Sequence, residues 1–307
     1  MVSLEEIGGF FRGRVLLSEP LKGYTTFRIG GPVDVYLEPR DAEDTVRIVA
    51  YLRANGFPFV IIGNGSNLLV SDEGFRGAAI NLEAGLESVT IDGEKVSADA
   101  GVRVTKLVDD CIQQGLGGLE MLAGIPGTVG GAVMMNAGAY GGTVSDYLVD
   151  VAAIKDGELQ TLVKEECRFG YRTSGLSGMV IVRALFNLPR RDRGELLRIR
   201  RELLLRRNET QPINYPNAGS IFKNPPGMRA ATLIEDAGMK GVQAGGAEVS
   251  ERHSNFIINR GTATAADIIQ LIKQVRERVK ARSGVTLELE VRLLGFREDI
   301  LEGEEVR

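Results

Sequence analysis

The residues best suited to chemistry in this chain fall in two glycine-rich segments, 63–68 (GNGSNL) and 124–142 (GIPGTVGGAVMMNAGAYGG). Glycines let successive backbone N–H groups converge on an anion as a nest. The second run can also present the N-terminus of a following short helix to a phosphate. Two such loops in one half of a chain suit a ligand that carries a pyrophosphate, although each alone is also an ordinary turn. The first loop begins like a dinucleotide fingerprint, and Glu83 sits near its acidic spacing, but the third glycine and the helical period behind it are missing. No G-x-x-x-x-G-K-[ST] occurs, which excludes the P-loop mechanism. Ser220 and Lys223 form an S-x-x-K pair without its K-T-G companion, since Lys240-Gly241 does not supply one, and no G-x-S-x-G elbow is present.

Scarcity narrows the chemistry further. Among 307 residues there is 1 histidine, His253, so no site can place several imidazoles on one metal ion, and no metal site is expected. The 2 cysteines, Cys111 and Cys167, form no C-x-x-C pair, which fits a reducing compartment. The formal net charge of −4 argues against a general nucleic-acid binder. The N-terminus carries early acids and no long apolar stretch, so a signal peptide is not expected. Runs such as 57–62 fall far short of the ~20 apolar residues of a membrane span. A cytoplasmic protein without membrane insertion, monomeric or weakly oligomeric, is the expectation.

The elements that must position these loops can be read from periodicity. A helix is predicted over 43–55, with Val46, Val49, Ala50 and Arg53 on its repeating face, followed by a buried strand at 57–62. Short strands follow at 77–82, 87–91 and 94–99, with Asp92-Gly93 as a hairpin turn. The clearest amphipathic helix is 103–114, where Val104, Leu107, Val108, Cys111 and Ile112 make one stripe and Gly115 stops it. Cys111 is therefore read as a core residue. A hairpin at 149–163 and a strand near 178–188 precede an arginine-rich helix within 189–211, read as a solvated face or as a basic rim that steers an anionic substrate. Beyond Pro212 and Pro216 come a short helix at 230–237, a strand at 256–259 and a long helix at 265–282. Thr264 and Asp267 fit a capping box there, and Ile268, Leu271, Ile272, Val275 and Val279 its buried stripe. A last strand, 285–295, alternates around Glu288 and Glu290.

Six ordered motifs then combine. TTFRIGGPVD (25–34), GNGSNLL (63–69), GIPGTVGGAVMMNAGAYG (124–141), FGYRTS (169–174), NAGSIFKNP (217–225) and LELEVRLLG (287–295) resemble the UDP-N-acetylenolpyruvoylglucosamine reductase family over about residues 20 to 296. The resemblance implies an α+β fold: two FAD-binding subdomains of the vanillyl-alcohol-oxidase (PCMH) type plus a C-terminal α+β substrate domain. Divided on that pattern, the chain gives 1–76 and 77–190 to FAD, 191–297 to substrate, and 298–307 to an acidic tail.

The resemblance also implies NADPH as reductant, non-covalent FAD, and the enolpyruvyl ether of UDP-N-acetylglucosamine as substrate, reduced to UDP-N-acetylmuramate. Hydride would pass from flavin N5 to the vinyl carbon. By motif matching, Ser220 is the expected proton donor, with Arg172 and Glu290 beside the substrate carboxylate. Lys223, Asn224 and His253 fall where substrate contacts lie. FAD would be lined by Gly63, Asn64, Gly65, Ser66, Asn67 and Leu68. A second lining set comprises Gly124, Ile125, Pro126, Thr128, Val129, Gly130, Gly131, Asn136, Ala137 and Gly138. The short interval from Arg172 to Ser220 leaves no room for the tyrosine-bearing loop of the longer enzymes, so the chain resembles the shorter type.

These residue types suit the reaction. Hydride addition to the vinyl group builds charge onto the carboxylate, which a bidentate arginine can stabilise. A serine held within hydrogen-bond reach can protonate so basic a carbanion. A second carboxylate at Glu290 fits if it is protonated or orients a water or Arg172, and burial with like charge would raise its pKa. Taken singly, Ser220 is an ordinary turn serine, Arg172 an ion-pair arginine, Glu290 the wet side of a strand and His253 a satisfied histidine. A flavin oxidase of the same fold and a catalytically silent nucleotide-binding module are the alternative functions.

Overall fold

The computed structural model describes residues 4–301. Its buried apolar side chains gather into two cores, one in each of two compact units. The first unit takes the chain up to Leu17, then Val35–Asn64 and Gly77–Arg207. The second takes Ser18–Asp34, Gly65–Arg76 and the chain from Asn208.

In the first unit the helices are α1 (Leu4–Phe10), α2 (Ala42–Ala54), α3 (Val104–Gln113), α4 (Val129–Met134) and most of α5 (Arg193–Thr210). Helix α2 starts where Asp41 accepts from the Asp44 N–H at 2.8 Å. Its length matches expectation but its phase does not: Thr45, Ile48, Val49 and Leu52 are buried, while Val46, Ala50 and Arg53 are only partly so. The cause is Asp44, a fully buried carboxylate that turns inward to accept from the Arg12 and Arg40 N–H groups, each at 3.0 Å. Helix α3 buries its expected stripe, Cys111 included, and Gly115 follows at φ +67°.

Two sheets carry these helices. A four-stranded sheet has the order Arg14–Pro20, Pro32–Glu38, Phe75–Asn81, Phe59–Ile62, the last pair parallel. The other is an antiparallel five-stranded sheet, Glu158–Val163, Leu148–Lys155, Val180–Asn187, Lys95–Asp99, Val89–Asp92. The hairpin falls where expected, but Asp92 pairs with Lys95, so its two-residue turn is Gly93-Glu94 and not Asp92-Gly93; Gly93 takes φ +61°. Helix α5 buries only Leu196; Arg198 pairs with Glu202 at 2.8 Å and Arg200 grips both oxygens of Asp109, as on a solvated face.

The second unit packs α6 (Ala230–Asp236) and α7 (Ala265–Ser283) with an antiparallel sheet of Gln243–Ala244, Ala247–Val249 and Ile257–Asn259. The Thr264–Asp267 capping box of α7 is present and all five residues of its predicted stripe are buried. The expected strand at 285–295 is not continuous. Only Arg292–Leu294 forms one, parallel to Leu68–Val70. Residues 288–291 lie against 221–223 instead, joined by backbone hydrogen bonds. No helix among the described residues is long and apolar enough to cross a membrane.

Candidate functional site

In the first unit, the end of strand Phe59–Ile62 abuts the start of α4. A Cβ placed on Gly63 would stand 2.4 Å from Thr128 Oγ1, so only glycine fits against this N-cap. The Asn64 side chain spans the two glycine loops, donating to the Pro126 carbonyl and accepting from Arg103. Arg103 in turn takes Glu83 through Nε at 2.6 Å. Glu83, the one acid at dinucleotide spacing, is thereby committed to an ion pair.

The start of α4 is not an open anion nest. Val129 N–H donates to the Val102 carbonyl and Gly130 N–H to that of Ala100, both at 2.8 Å, while Gly131 N–H reaches Thr128 Oγ1. The first two tie the helix to the loop that follows strand Lys95–Asp99, the third closes its N-cap, and a Cβ on Gly130 would meet Ala100 at 2.9 Å. Gly130 serves close packing of the helix on that loop. Gly124 lies against Arg207, whose Cδ stands 2.7 Å from where a Cβ would be. Ile125 N–H closes onto Leu122, and Ala137 N–H onto Ala132 at the far end of α4. Gly138 pairs with Thr143 in a two-residue ladder.

Asn136 supplies the polar test of a bound cofactor. It sits at φ +44° and donates Nδ2 to the Gly170 carbonyl at 3.0 Å, yet its Oδ1 is buried with no hydrogen-bond partner. A buried acceptor left unpaired costs about 1–3 kcal/mol. A flavin imide N–H or ribityl hydroxyl would satisfy it, so the residues present fit FAD. Arg172 lies in the turn after Gly170, with its guanidinium 5.2 Å from the centre of the Tyr171 ring.

The second unit assembles the other expected residues. Gly65 takes φ +59°, and a Cβ there would stand 2.1 Å from the Tyr24 carbonyl oxygen. After Ser66, Asn67 donates Nδ2 to the Glu290 carbonyl at 3.0 Å and Leu68 pairs with Arg292. Ser220 follows Gly219 (φ +73°) in a turn that Asn217 Oδ1 closes by accepting the Gly219 N–H at 2.9 Å. Thr26, from the TTFRIGG motif, donates Oγ1 to the Asn217 carbonyl at 2.6 Å.

The segment after Ser220 is clamped on both sides. Asn255 donates Nδ2 to the Phe222 carbonyl at 2.8 Å and accepts the Phe222 N–H at 3.0 Å. The Glu290 N–H donates to Ile221 at 2.8 Å, and the Lys223 N–H to Glu288 at 2.9 Å. The backbone of Glu290 is thus bonded to the residue that follows Ser220. Lys223 Nζ stands 3.5 Å from Glu288, an exposed pair of small value. Asn224 Oδ1 accepts the Ala230 N–H at 2.9 Å and so caps α6.

His253 stacks edge-on to Phe256, ring centres 4.7 Å apart, with Nδ1 buried and unpaired. Burial lowers its pKa below the ordinary 6.5, and Lys240 adds to this against an opposing backbone hydrogen bond. The fold therefore favours the neutral ring. Its contribution to stability is present above pH 6.5 and is lost as pH falls through the lowered folded value. Thermal unfolding between pH 7 and 5 should show the wild type losing more stability than His253→Gln. Parallel curves would refute the assignment.

Both cysteines are buried and inert. Desolvation, aided by Asp110, pushes the Cys111 thiol up to about 12. Desolvation, aided by nearby acids, lifts Cys167 to about 11. Among the described residues no group of three or more His, Cys, Asp or Glu could hold a metal ion. Arg103, Asn255 and Ser174 escaped sequence reasoning. Asn255 bonds a residue 33 positions away, and only its neighbour His253 offered a local signal.

Residues 33–162 match an FAD binding domain, and residues 211–294 match the C-terminal domain of UDP-N-acetylenolpyruvoylglucosamine reductase. The chain is 41% identical to the UDP-N-acetylenolpyruvoylglucosamine reductase of Chloroherpeton thalassium, over 98% of this chain and 99% of that one. It is 47% identical to the enzyme of the same name from Moorella thermoacetica, over 92% and 94%. The crystal structure of the Thermus caldophilus reductase superposes with a TM-score of 0.81 at 38% identity, covering 93% of this chain and all of that one.

Proposed function

The chain belongs to the UDP-N-acetylenolpyruvoylglucosamine reductase family, and from that premise we propose how its residues divide the reaction. It is an FAD-dependent oxidoreductase of cell-wall precursor synthesis, with the α+β FAD-binding fold and C-terminal domain read from its motifs. NADPH would be its reductant and FAD would be held without a covalent bond. Bound FAD would supply the hydride-transfer chemistry that links the nicotinamide to the vinyl group of the enolpyruvyl UDP-sugar. FAD would be held by 63–68 and 124–138, within subdomains spanning 1–76 and 77–190, and substrate by 191–297.

Ser220 would give its hydroxyl proton to the carbon bearing the carboxylate, completing addition across the double bond. Arg172 would bind that carboxylate as charge builds on it. Glu290 would orient Arg172 or a water, or be protonated itself. Lys223, Asn224 and His253 would line the sugar nucleotide. One observation carries the reading: the interlock of 221–223 with 288–291 ties Glu290 to the backbone beside Ser220. The buried cysteines and the histidine's sole position at 253 support a flavin held without a covalent tether.

The deciding experiment is anaerobic stopped-flow on the FAD-loaded protein. NADPH should bleach the flavin, and the enolpyruvyl UDP-sugar should restore its colour. Restoration by oxygen alone would favour an oxidase, and absence of bleaching would leave only a binding module.

A further inference from the structure

We propose that Ser174 is a positioning residue for Arg172, holding the arginine at the tip of a strained turn by tying that turn to the end of α4. This rests on the reading of Arg172 as the partner of the substrate carboxylate.

Gly170 and Thr173 exchange two backbone hydrogen bonds, at 3.0 and 3.4 Å, which leaves Tyr171 and Arg172 alone at the tip. Arg172 adopts φ +55°, in the left-handed region. A non-glycine residue there is strained and persists only when its surroundings over-determine it. The base of the turn is closed by the Gly175 N–H on the Cys167 carbonyl at 2.8 Å. That bond fixes where the turn leaves the chain but not the direction in which its tip points.

Direction comes from α4. The Ser174 hydroxyl donates to the Met134 carbonyl at 2.8 Å, and Asn136 donates to the Gly170 carbonyl at 3.0 Å. The two anchors flank Arg172 in sequence, and both fall on three consecutive positions of the α4 terminus. Met134 is the last residue of that helix, where carbonyls lack intrahelical partners. The serine therefore satisfies a helix end and aims the turn with the same bond. The other end of α4 is the N-cap against which Gly63 packs. A single rigid element thus indexes the glycine loop at one end and Arg172 at the other.

The test is a double-mutant cycle on the FAD-loaded full chain, using Arg172→Ala, Ser174→Ala, their combination, and Ser174→Thr. Calorimetric affinity of the oxidised protein for the enolpyruvyl UDP-sugar is read beside the two half-reaction rates. Ser174→Ala should weaken binding and slow flavin reoxidation by roughly tenfold, the equivalent of one net hydrogen bond. Bleaching by NADPH and FAD content should stay unchanged, and Ser174→Thr, which keeps the hydroxyl, should recover both losses. In the Arg172→Ala background, removing the Ser174 hydroxyl should cost nothing more. Full affinity in Ser174→Ala, or losses that simply add in the double variant, would overturn the positioning role. If Arg172→Ala itself binds and reacts normally, the underlying reading of Arg172 fails, a result distinct from the other two.

Discussion

Ser220→Ala should bleach with NADPH as the wild type does and then recover its colour about 10²–10⁴-fold more slowly on addition of the enolpyruvyl UDP-sugar. The asymmetry follows from chemistry. Flavin reduction requires no proton from this hydroxyl, whereas completing the addition to the double bond does. The fold should tolerate the change, because the turn is held by Asn217, Thr26 and Asn255 through backbone atoms that alanine retains. Substrate affinity should change little, since a proton donor matters chiefly in the transition state. Equal slowing of both half-reactions would instead assign Ser220 to the shared cavity, and an unaltered second step would remove it from the chemistry.

The second large effect is expected at Gly63. Alanine there cannot coexist with Thr128 where it stands, because Oγ1 would be 2.4 Å and Cγ2 2.9 Å from the new methyl. Thr128 must move, and with it the cap that accepts the Gly131 N–H. Overpacking of this kind costs about 1–3 kcal/mol. If that cost falls on the bound geometry of the loops, FAD affinity drops by about tenfold to a hundredfold. Fluorescence titration of the apoprotein with FAD measures it directly. Retained affinity in Gly63→Ala would mean that the loop and α4 shift together without involving the cofactor.

What could be read from the sequence was what chemistry fixes locally. The Thr264–Asp267 box and the Cys111 stripe each depend on residues within one or two helical turns, and each is found as expected. Asp44 shows where local reading breaks down: an acid normally marks the wet face of a helix, but the distant Arg12 N–H, with the nearby Arg40 N–H, draws this one inside. The stretch around Glu288 and Glu290 alternates like a strand, yet its partners are the irregular 221–223 segment and Asn67, far off in sequence. The glycines of 124–138 suggested donors aimed at phosphate, and the structure spends the α4 donors on carbonyls of a neighbouring loop. The proposed chemistry of Ser220, Arg172 and Glu290 came from the order of motifs, because no single residue's surroundings announce it.

The makeup of the second core has a consequence for how the protein is made. Phe27, Ile29 and Leu69 lie in it beside Ile221, Phe222 and the α7 stripe, and Leu68–Val70 pairs with Arg292–Leu294. A chain synthesised from its N-terminus must carry these early apolar residues past more than a hundred later ones before their partners exist. At about 5–20 residues per second that interval lasts on the order of ten seconds. The stretch Gly77–Arg207, by contrast, can begin to condense as it leaves the ribosome. The protein is therefore committed to finishing its second unit last, with two N-terminal segments waiting as ready-made docking strips. A fragment cut at Asn208 would inherit α7 and Ser220 without them, and should be recovered in soluble form only when residues 18–34 and 65–76 are supplied with it.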